Sequence, residues 1–249
     1  FFPKSLKIWY HNHDVVEKKY TAKYSISWWA WKCERFYFRK LSIFSLPSIE
    51  RKKYFSMEDL KGKFHFIPNY PSRTVFGMYN KQGKSAEGPW RILYQGSISP
   101  LHGFEEIIPL LNEIISGRQL LLVLIGFVSD EYKSELLDLG TKYNTKDRIL
   151  FLPPSSYLEV IKNAQSCHIG LGIYRKNDIM NTTVGTASNK IYEYAASGMP
   201  VILYDNEHFR ETLGIRKWVL FSDLSTRSLL NSFSLIANNY SELSEAAKC

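Results

Sequence analysis

The sequence predicts an α/β protein in which a doubly wound parallel-sheet domain over residues 91–249 is joined, through a linker at 76–90, to a smaller, incomplete Rossmann-like unit over 1–75. Three observations predict it. From Arg91 onward, short apolar runs alternate with stretches of helical period, the pattern of βαβ units that build a parallel sheet covered on both faces. The stretch 188–204 marks its own boundaries: Ser188 or Asn189 suits a helix cap, Gly198 a stop, and Pro200-Val201-Ile202-Leu203-Tyr204 a buried strand. The first 75 residues repeat this alternation but supply only three strands and two helices, half of a second unit.

From the N-terminus, 6–10 reads as a strand ending in His11-Asn12-His13-Asp14, followed by a helix through an aromatic stretch, a strand at 41–44, a helix at 47–55 and a strand at 63–67. Pro68-Asn69-Tyr70-Pro71 starts an extended connection, and the Gly, Lys, Gln and Ser of 77–89 read as linker. Beyond it, strands are predicted at 92–95, 120–125, 148–152, 168–173, 201–204 and 218–221. The helices between and after them are predicted at 104–116, 130–143, 156–164, 189–197, 208–213 and 228–237. Ligands of such sheets bind outside the carboxyl ends of the strands, so the loops there hold the chemistry. No internal repeat or low-complexity tract interrupts the pattern.

With 249 residues, 45% hydrophobic and 22% charged, the chain has the composition of a globular protein with a sizeable core. No apolar run approaches the ~20 residues of a spanning helix, and no signal-peptide pattern is present. Cys33, Cys167 and Cys249 are odd in number and lack CxxC spacing, which favours neither a disulfide framework nor zinc and suggests a reducing cytoplasm. A first residue of Phe rather than Met reads as a processed chain or a fragment.

The formal charge of +8 is concentrated in one place. Residues 1–88 hold 17 Lys and Arg against 7 Asp and Glu, and the remainder 15 against 17. The basic third is also aromatic, with Tyr20, Tyr24, Trp28, Trp29, Trp31, Phe36, Tyr37 and Phe38 among Lys18, Lys19, Lys23, Lys32, Arg35, Arg39 and Lys40. Trp28, Trp29, Lys32 and Arg35 therefore suit an anionic membrane surface, while the plain alternative is a set of core aromatics with lysines reaching out to water. A nucleic-acid backbone is the weakest of the three readings.

Glu193 is the residue to explain. A helix opening from the small polar loop 182–188 presents free N–H groups and the positive end of its dipole, which suits a phosphate. Glu193 stands four residues past Asn189, or roughly 6 Å along the axis at ~1.5 Å per residue, the offset between a diphosphate and the hydroxyls of its ribose. The plain reading is a helix whose Glu faces water. Two further strand-end loops speak for a site: Gln95-Gly96-Ser97 through Leu101-His102-Gly103, whose glycines permit close approach of a phosphate, and Pro153-Pro154-Ser155-Ser156, which would wall the cleft.

The sequence order Ile92-Leu93-Tyr94-Gln95-Gly96, then Leu122-Val123-Leu124-Ile125-Gly126, then Ser188-Asn189-Lys190, Glu193 and Gly198-Met199-Pro200-Val201 resembles the nucleotide-sugar-dependent glycosyl transferases group 1, family 4, of GT-B fold, over about residues 6–240. That resemblance implies a donor diphosphate on Gly96, Ser97, His102, Gly103 and the helix start at Ser188, Asn189 and Lys190, with Pro153 in the wall and Glu193 on the ribose. It places His13 near the reacting centre and makes Ile67-Pro68-Asn69 the passage between domains. Gly185 stands eight residues before Glu193, where the family often has a second acid, and the Asn-Lys-x-x-Glu version seen here occurs in some members. Ser97 and His102 stand where Arg and Lys are common.

The implied reaction is sugar transfer with retention, by a front-face route without metal or cofactor, from a UDP-, GDP- or ADP-sugar to a polysaccharide or lipid-linked acceptor. The implied setting is the cytoplasm, with the basic aromatic stretch at the inner face of the membrane, and no nucleic acid as partner. Two rivals stand beside it. Gly185, Ser97 and the incomplete first unit suit a nucleotide-sugar-binding subunit without its own activity, and the strand-end pair His11-x-His13 suits a metal-dependent hydrolase, for which no matching further ligands are placed.

Overall fold

The computed structural model of the chain describes residues 6–15, 22–79, 84–85, 87–175 and 179–248; Lys18, Lys19 and Tyr20 of the aromatic stretch, and 80–83 and 86 of the predicted linker, lie outside them. The chain forms two compact units, one of Phe1–Asn69 with Asn177–Ser188, the other of Tyr70–Lys176 with Asn189–Cys249.

In the first unit, β1 (Trp9–His11), α1 (Ile26–Phe38), β2 (Ile43–Leu46) and β3 (Lys63–Phe66) follow the predicted order, and the strands form a parallel sheet in the order β1-β2-β3. Phe44 and Leu46 are fully buried and meet Phe38 and Leu41 in a small core. Ser25 caps α1 by accepting the Trp28 N–H at 3.2 Å, yet Phe38 alone among the helix residues is buried. The other aromatics of α1 therefore do not fill the core: Trp29 is 56% and Phe36 64% exposed.

Residues Ile49–Tyr54 form a 3₁₀ helix rather than the predicted α-helix. The Ser48 hydroxyl, which could have capped the turn, donates to the Glu50 carboxylate instead. The Arg51 side chain is drawn inward, where Nε donates to Thr183 Oγ1 at 3.1 Å and the guanidinium donates to the His13 carbonyl.

The second unit opens with α2 (Arg73–Tyr79), which runs into the stretch read as linker, and buries Phe76 against the Tyr157 ring. There follow β4 (Trp90–Gln95), α3 (Phe104–Ile107), β5 (Ile114–Ile115), β6 (Arg118–Ile125), α4 (Asp130–Lys142), β7 (Ile149–Leu152), α5 (Tyr157–Gln165) and β8 (Ile169–Gly172). The chain returns to the first unit for α6 (Ile179–Thr182), then completes the second with α7 (Asn189–Ala196), β9 (Val201–Tyr204), α8 (Glu207–Leu213), β10 (Val219–Ser222), α9 (Thr226–Asn238) and α10 (Tyr240–Lys248).

Six parallel strands lie in the order β10-β9-β8-β4-β6-β7, with β5 antiparallel to the start of β6. Consecutive interior residues Ile92 and Leu93, and likewise Val201, Ile202 and Leu203, have no exposure, as expected for strands covered on both faces. The order reverses between β4 and β8, and that switch point is where an open sheet of this kind forms its ligand crevice.

The predicted helix over 104–116 is not continuous. After one α-turn the chain tightens into a 3₁₀ turn at Ile108–Leu110 containing Pro109, whose ring disfavours a longer α-helix through clash with the carbonyl four residues back. Ser116 and Gly117, both at positive φ (47° and 78°), then turn β5 into β6 as a two-residue hairpin. At the C-terminus, α10 lies beyond the last predicted helix, and its Ser244 hydroxyl donates to the Gly198 carbonyl at 2.8 Å. Gly198 ends α7 as predicted, at φ 66°.

Candidate functional site

At the switch point, β4 ends in a buried polar residue, Gln95, and breaks at Gly96 with φ 130°. The amide of Gly96 donates to the Ile125 carbonyl at 2.9 Å, that of Ile98 to the Phe127 carbonyl at 2.8 Å, and that of Gly126 to the Leu152 carbonyl at 3.2 Å. The three strand ends are thereby stitched side by side. The crossing leaves no room for a side chain: a Cβ on Gly126, itself at φ 142°, would lie 1.9 Å from the Gly96 carbonyl oxygen. These loops need glycine for both close approach and left-handed backbone.

α7 reaches this place from the far side of the switch. It buries Ile191, Tyr192, Tyr194 and Ala195, which leaves Lys190 and Glu193 half-buried. The Tyr194 hydroxyl accepts the Gln95 N–H at 2.8 Å, fixing the helix to the strand end. Gln95 Nε2 donates to the Glu193 carboxylate, and Tyr157, at the first position of α5, hydrogen-bonds to the same carboxylate. Burial raises the Glu193 pKa, while the Tyr157 and Gln95 hydrogen bonds and the charge on Lys190 oppose that rise. Glu193 is thus half-buried and held by hydrogen bonds from Gln95 and Tyr157.

Lys190 lies in an aromatic recess. Its Nζ stands 4.1 Å from the Tyr94 ring centre and 5.1 Å from that of Tyr174, and 3.2 Å from where a Cβ on Gly96 would sit. Burial pushes its ammonium down to about 7, against the pull of Glu193. His102 completes the recess, its ring 4.8 Å from Tyr94. The His102 Nδ1 lies 2.9 Å from the Ile173 carbonyl, which can only accept, so Nδ1 carries the proton and Nε2 is the nitrogen left for another partner. Burial lowers the His102 pKa, as does the charge on Lys190.

The structure therefore brings together Gly96, His102, Lys190 and Glu193, with Ser97 joining through its carbonyl, which accepts the Tyr94 hydroxyl at 3.0 Å. Gly103 begins α3 at φ 78°, with Ile173 and Leu224 pressed close around it. Asn189 is exposed at the start of α7, whereas Ser188 is buried and belongs to the first unit. Pro153 is exposed and its carbonyl accepts the Ser155 hydroxyl; the loop that it opens leads to Tyr157, which reaches Glu193. Sequence reasoning gives Tyr157 and Tyr174 no place in the site, and names Tyr94 and Gln95 only within a motif and a loop, without a role of their own. A polar Gln closing an apolar strand was the available signal.

His13 lies in the first unit, exposed, with its carbonyl held by Arg51 and its ring 4.3 Å from that of His11. His11 Nδ1 is 2.7 Å from Ser45 Oγ, which also accepts the Trp9 indole N–H at 2.8 Å. Among the described residues, no group of three or more His, Cys, Asp or Glu side chains is arranged to hold a metal ion, so the His11 and His13 pair has no third such ligand there. On α1, Lys32 lies 5.3 Å from the Trp28 ring and 5.5 Å from that of Trp31, with the Arg35 guanidinium 5.9 Å from Trp31. Trp28 and Trp29 meet edge to face at 4.8 Å. Among the described residues, no helix is long and apolar enough to cross a membrane.

The architecture has solved counterparts. HepE from Anabaena, crystallised with UDP and glucose, superposes with a TM-score of 0.62 at 13% identity, over 97% of this chain and 65% of its own. WaaG, a glycosyltransferase involved in lipopolysaccharide biosynthesis, gives 0.62 at 15% identity, over 96% and 69%. Sucrose-phosphate synthase from Thermosynechococcus elongatus gives 0.58 at 16%, over 96% and 61%. The chain thus spans about two thirds of the length of these structures. No protein with a curated description matches the sequence. Residues 78–247 match the family described as Glycosyl transferases group 1, which covers most of the chain; it belongs to that family, and its fold is that of GT-B glycosyltransferases.

Proposed function

We propose that the second unit binds the nucleotide part of a UDP-, GDP- or ADP-sugar and that the protein transfers that sugar, with retention, to a polysaccharide or lipid-linked acceptor. One observation carries this reading: at the switch point, Glu193 is held by Gln95 and Tyr157 one helical turn after Lys190, which lies against the left-handed Gly96. In this reading Glu193 receives the ribose hydroxyls. The diphosphate lies along Gly96, Ser97, His102 and Gly103 and the start of α7 at Asn189 and Lys190, with Pro153 in the wall.

Sugar transfer leaves negative charge on the departing diphosphate, and fixed N–H groups and cations in a water-poor cleft stabilise it best. Lys190 supplies that stabilisation, joined by His102 when the charge of a bound diphosphate offsets the burial that disfavours its imidazolium, so the chemistry asks for neither metal nor cofactor. The family resemblance supports His13 as the residue that contacts the reacting sugar. The exposed Trp29, Lys32 and Arg35 of α1, with the half-buried Trp28 beside them, bring the enzyme to an anionic cytoplasmic membrane surface, where a lipid-linked acceptor is found.

Calorimetric titration with UDP-, GDP- and ADP-sugars tests donor binding, and a transfer assay on the complete gene product tests turnover. Binding of none of the three sinks the reading. Tight binding without turnover in the presence of acceptor lipid supports the second reading, a donor-binding subunit, which the glycine at 185 and the non-cationic Ser97 favour.

A further inference from the structure

Gln95 is only 7% exposed and closes β4 with both faces of its amide in play. Nε2 donates to Glu193, but Oε1 is buried without a hydrogen-bond partner among the described residues. Turning the amide over would not help, because it would set Oε1 against the carboxylate, acceptor against acceptor. A buried acceptor left empty costs free energy, and native structures keep such groups mainly where a ligand or function requires them. The neighbouring ammonium does not fill it, for Lys190 Nζ is drawn to the Tyr94 and Tyr174 rings. At the strand end, then, Gln95 Oε1 lacks a donor among the described residues, and the Glu193 carboxylate that Nε2 and Tyr157 hold has lone pairs left for another. A phosphate would be repelled there. Two adjacent hydroxyls would satisfy both.

We propose that Gln95 and Glu193 act together as a vicinal-diol receptor, with Gln95 both positioning the carboxylate and accepting one hydroxyl, so that the site selects ribose over 2′-deoxyribose. The inference rests on the reading of Glu193 as the ribose ligand and adds to it a residue and a selectivity.

The test uses uridine, guanosine and adenosine 5′-diphosphates, each beside its 2′-deoxy counterpart, titrated calorimetrically into the wild-type chain, Gln95→Met and Gln95→Asn. Thermal melting establishes that each variant is folded, and the shorter amide of Gln95→Asn serves should the thioether disturb the strand end. The wild type is expected to prefer the ribonucleotide about tenfold or more, the scale of one hydrogen bond to a charged group. Gln95→Met should lose most of that preference by weakening the ribo form while changing the deoxy form little. It should also shift the acid limb of the affinity–pH profile upward, because the lost N–H favoured the ionised Glu193. A merely structural role would weaken both nucleotides alike and leave the profile in place.

Full preference retained in both Gln95 variants overturns the proposal. If Glu193→Gln abolishes the preference while the Gln95 variants keep it, the ribose reading survives and only the role of Gln95 falls. A wild type that shows no preference, or binds none of the nucleotides, overturns both.

Discussion

Lys190 and Lys32 make the same kind of contact in opposite settings. Each ammonium lies over two aromatic rings, Tyr94 and Tyr174 for the first, Trp28 and Trp31 for the second. Lys190 sits half-buried at the end of a parallel sheet, where removal from water has pushed its pKa down to about 7. Lys32 is exposed on a helix that buries only Phe38. An exposed cation–π pair contributes about 0.5–1 kcal/mol, and a desolvated one about 2 or more. The buried arrangement is a shaped recess with its charge held in reserve for an anion; the exposed one is an adhesive surface whose cations stay hydrated until something covers them.

The sharpest way to break the buried arrangement is through its backbone. Gly126→Ala places a Cβ 1.9 Å from the Gly96 carbonyl at a residue with φ 142°, so the crossing of the β4 and β6 loops must open. A loss of about 3 kcal/mol or more is expected, read as a large fall in the melting midpoint. A melting curve matching the wild type would show that the crossing is not tight. Next comes Glu193→Ala, expected to weaken nucleotide-sugar binding by about 1.5–3 kcal/mol, the range for a hydrogen bond to a charged group. Unchanged affinity would remove Glu193 from the site.

A smaller effect is expected in pH dependence. Lys190 titrates near 7 when folded and near its ordinary ~10.4 when unfolded, so the unfolded chain binds the extra proton between those values. Its contribution therefore makes stability rise with pH across that window, and Lys190→Met should flatten the rise. Glu193, whose pKa is raised, acts in the other direction: stability falls as pH climbs from its ordinary value through the folded one. Donor affinity should fall above pH 7 as Lys190 loses its charge, by at most about tenfold per pH unit for one proton. A pH-independent affinity in the wild type from 6 to 9 would deny Lys190 a role with the diphosphate.

The smallest effects belong to α1. Trp29→Ala and Lys32→Ala should leave the melting midpoint nearly unchanged, within about 0.5 kcal/mol, because the side chains are exposed. Each should nonetheless reduce sedimentation with anionic vesicles, with about 1 kcal/mol for the lysine and less at high salt. Absence of vesicle binding by the wild type at every salt concentration rejects the membrane role.

The two regions also differ in how legible they were. The βαβ alternation and the stop at Gly198 were plain in the sequence because parallel strands buried on both faces are apolar runs and a left-handed helix end calls for glycine. The helix over 104–116 was misread because periodicity there survives a proline and a hairpin; Pro109 and Ser116-Gly117 were the local signals that should have outweighed it. Within the candidate site, Glu193 is named from its spacing past the helix start, Gly96 as a loop glycine, and Lys190 through the family resemblance. Gln95 and Tyr157 could not be given their roles in this way, since each contributes through a partner some hundred or some thirty residues away along the chain, and one sequence carries no record of such pairings. The exposure of α1 was equally hidden: basic and aromatic residues at helical spacing fit a core edge as well as a free surface.

The first unit is discontinuous, and this has a consequence for how the protein is made. Arg51 finds Thr183 across 132 positions, Asn69 donates to the Thr186 and Ala187 carbonyls, and the Thr186 hydroxyl donates to Pro47. During synthesis the nascent first unit emerges from the ribosome early but must wait, its guanidinium without that hydroxyl, until the strands from β4 to β8 have also been translated. Closure of so long a loop is slow and costly in chain entropy. Maturation of the N-terminal portion should therefore be the late step of biogenesis, and the interval before it closes is when chaperones and proteases would find it.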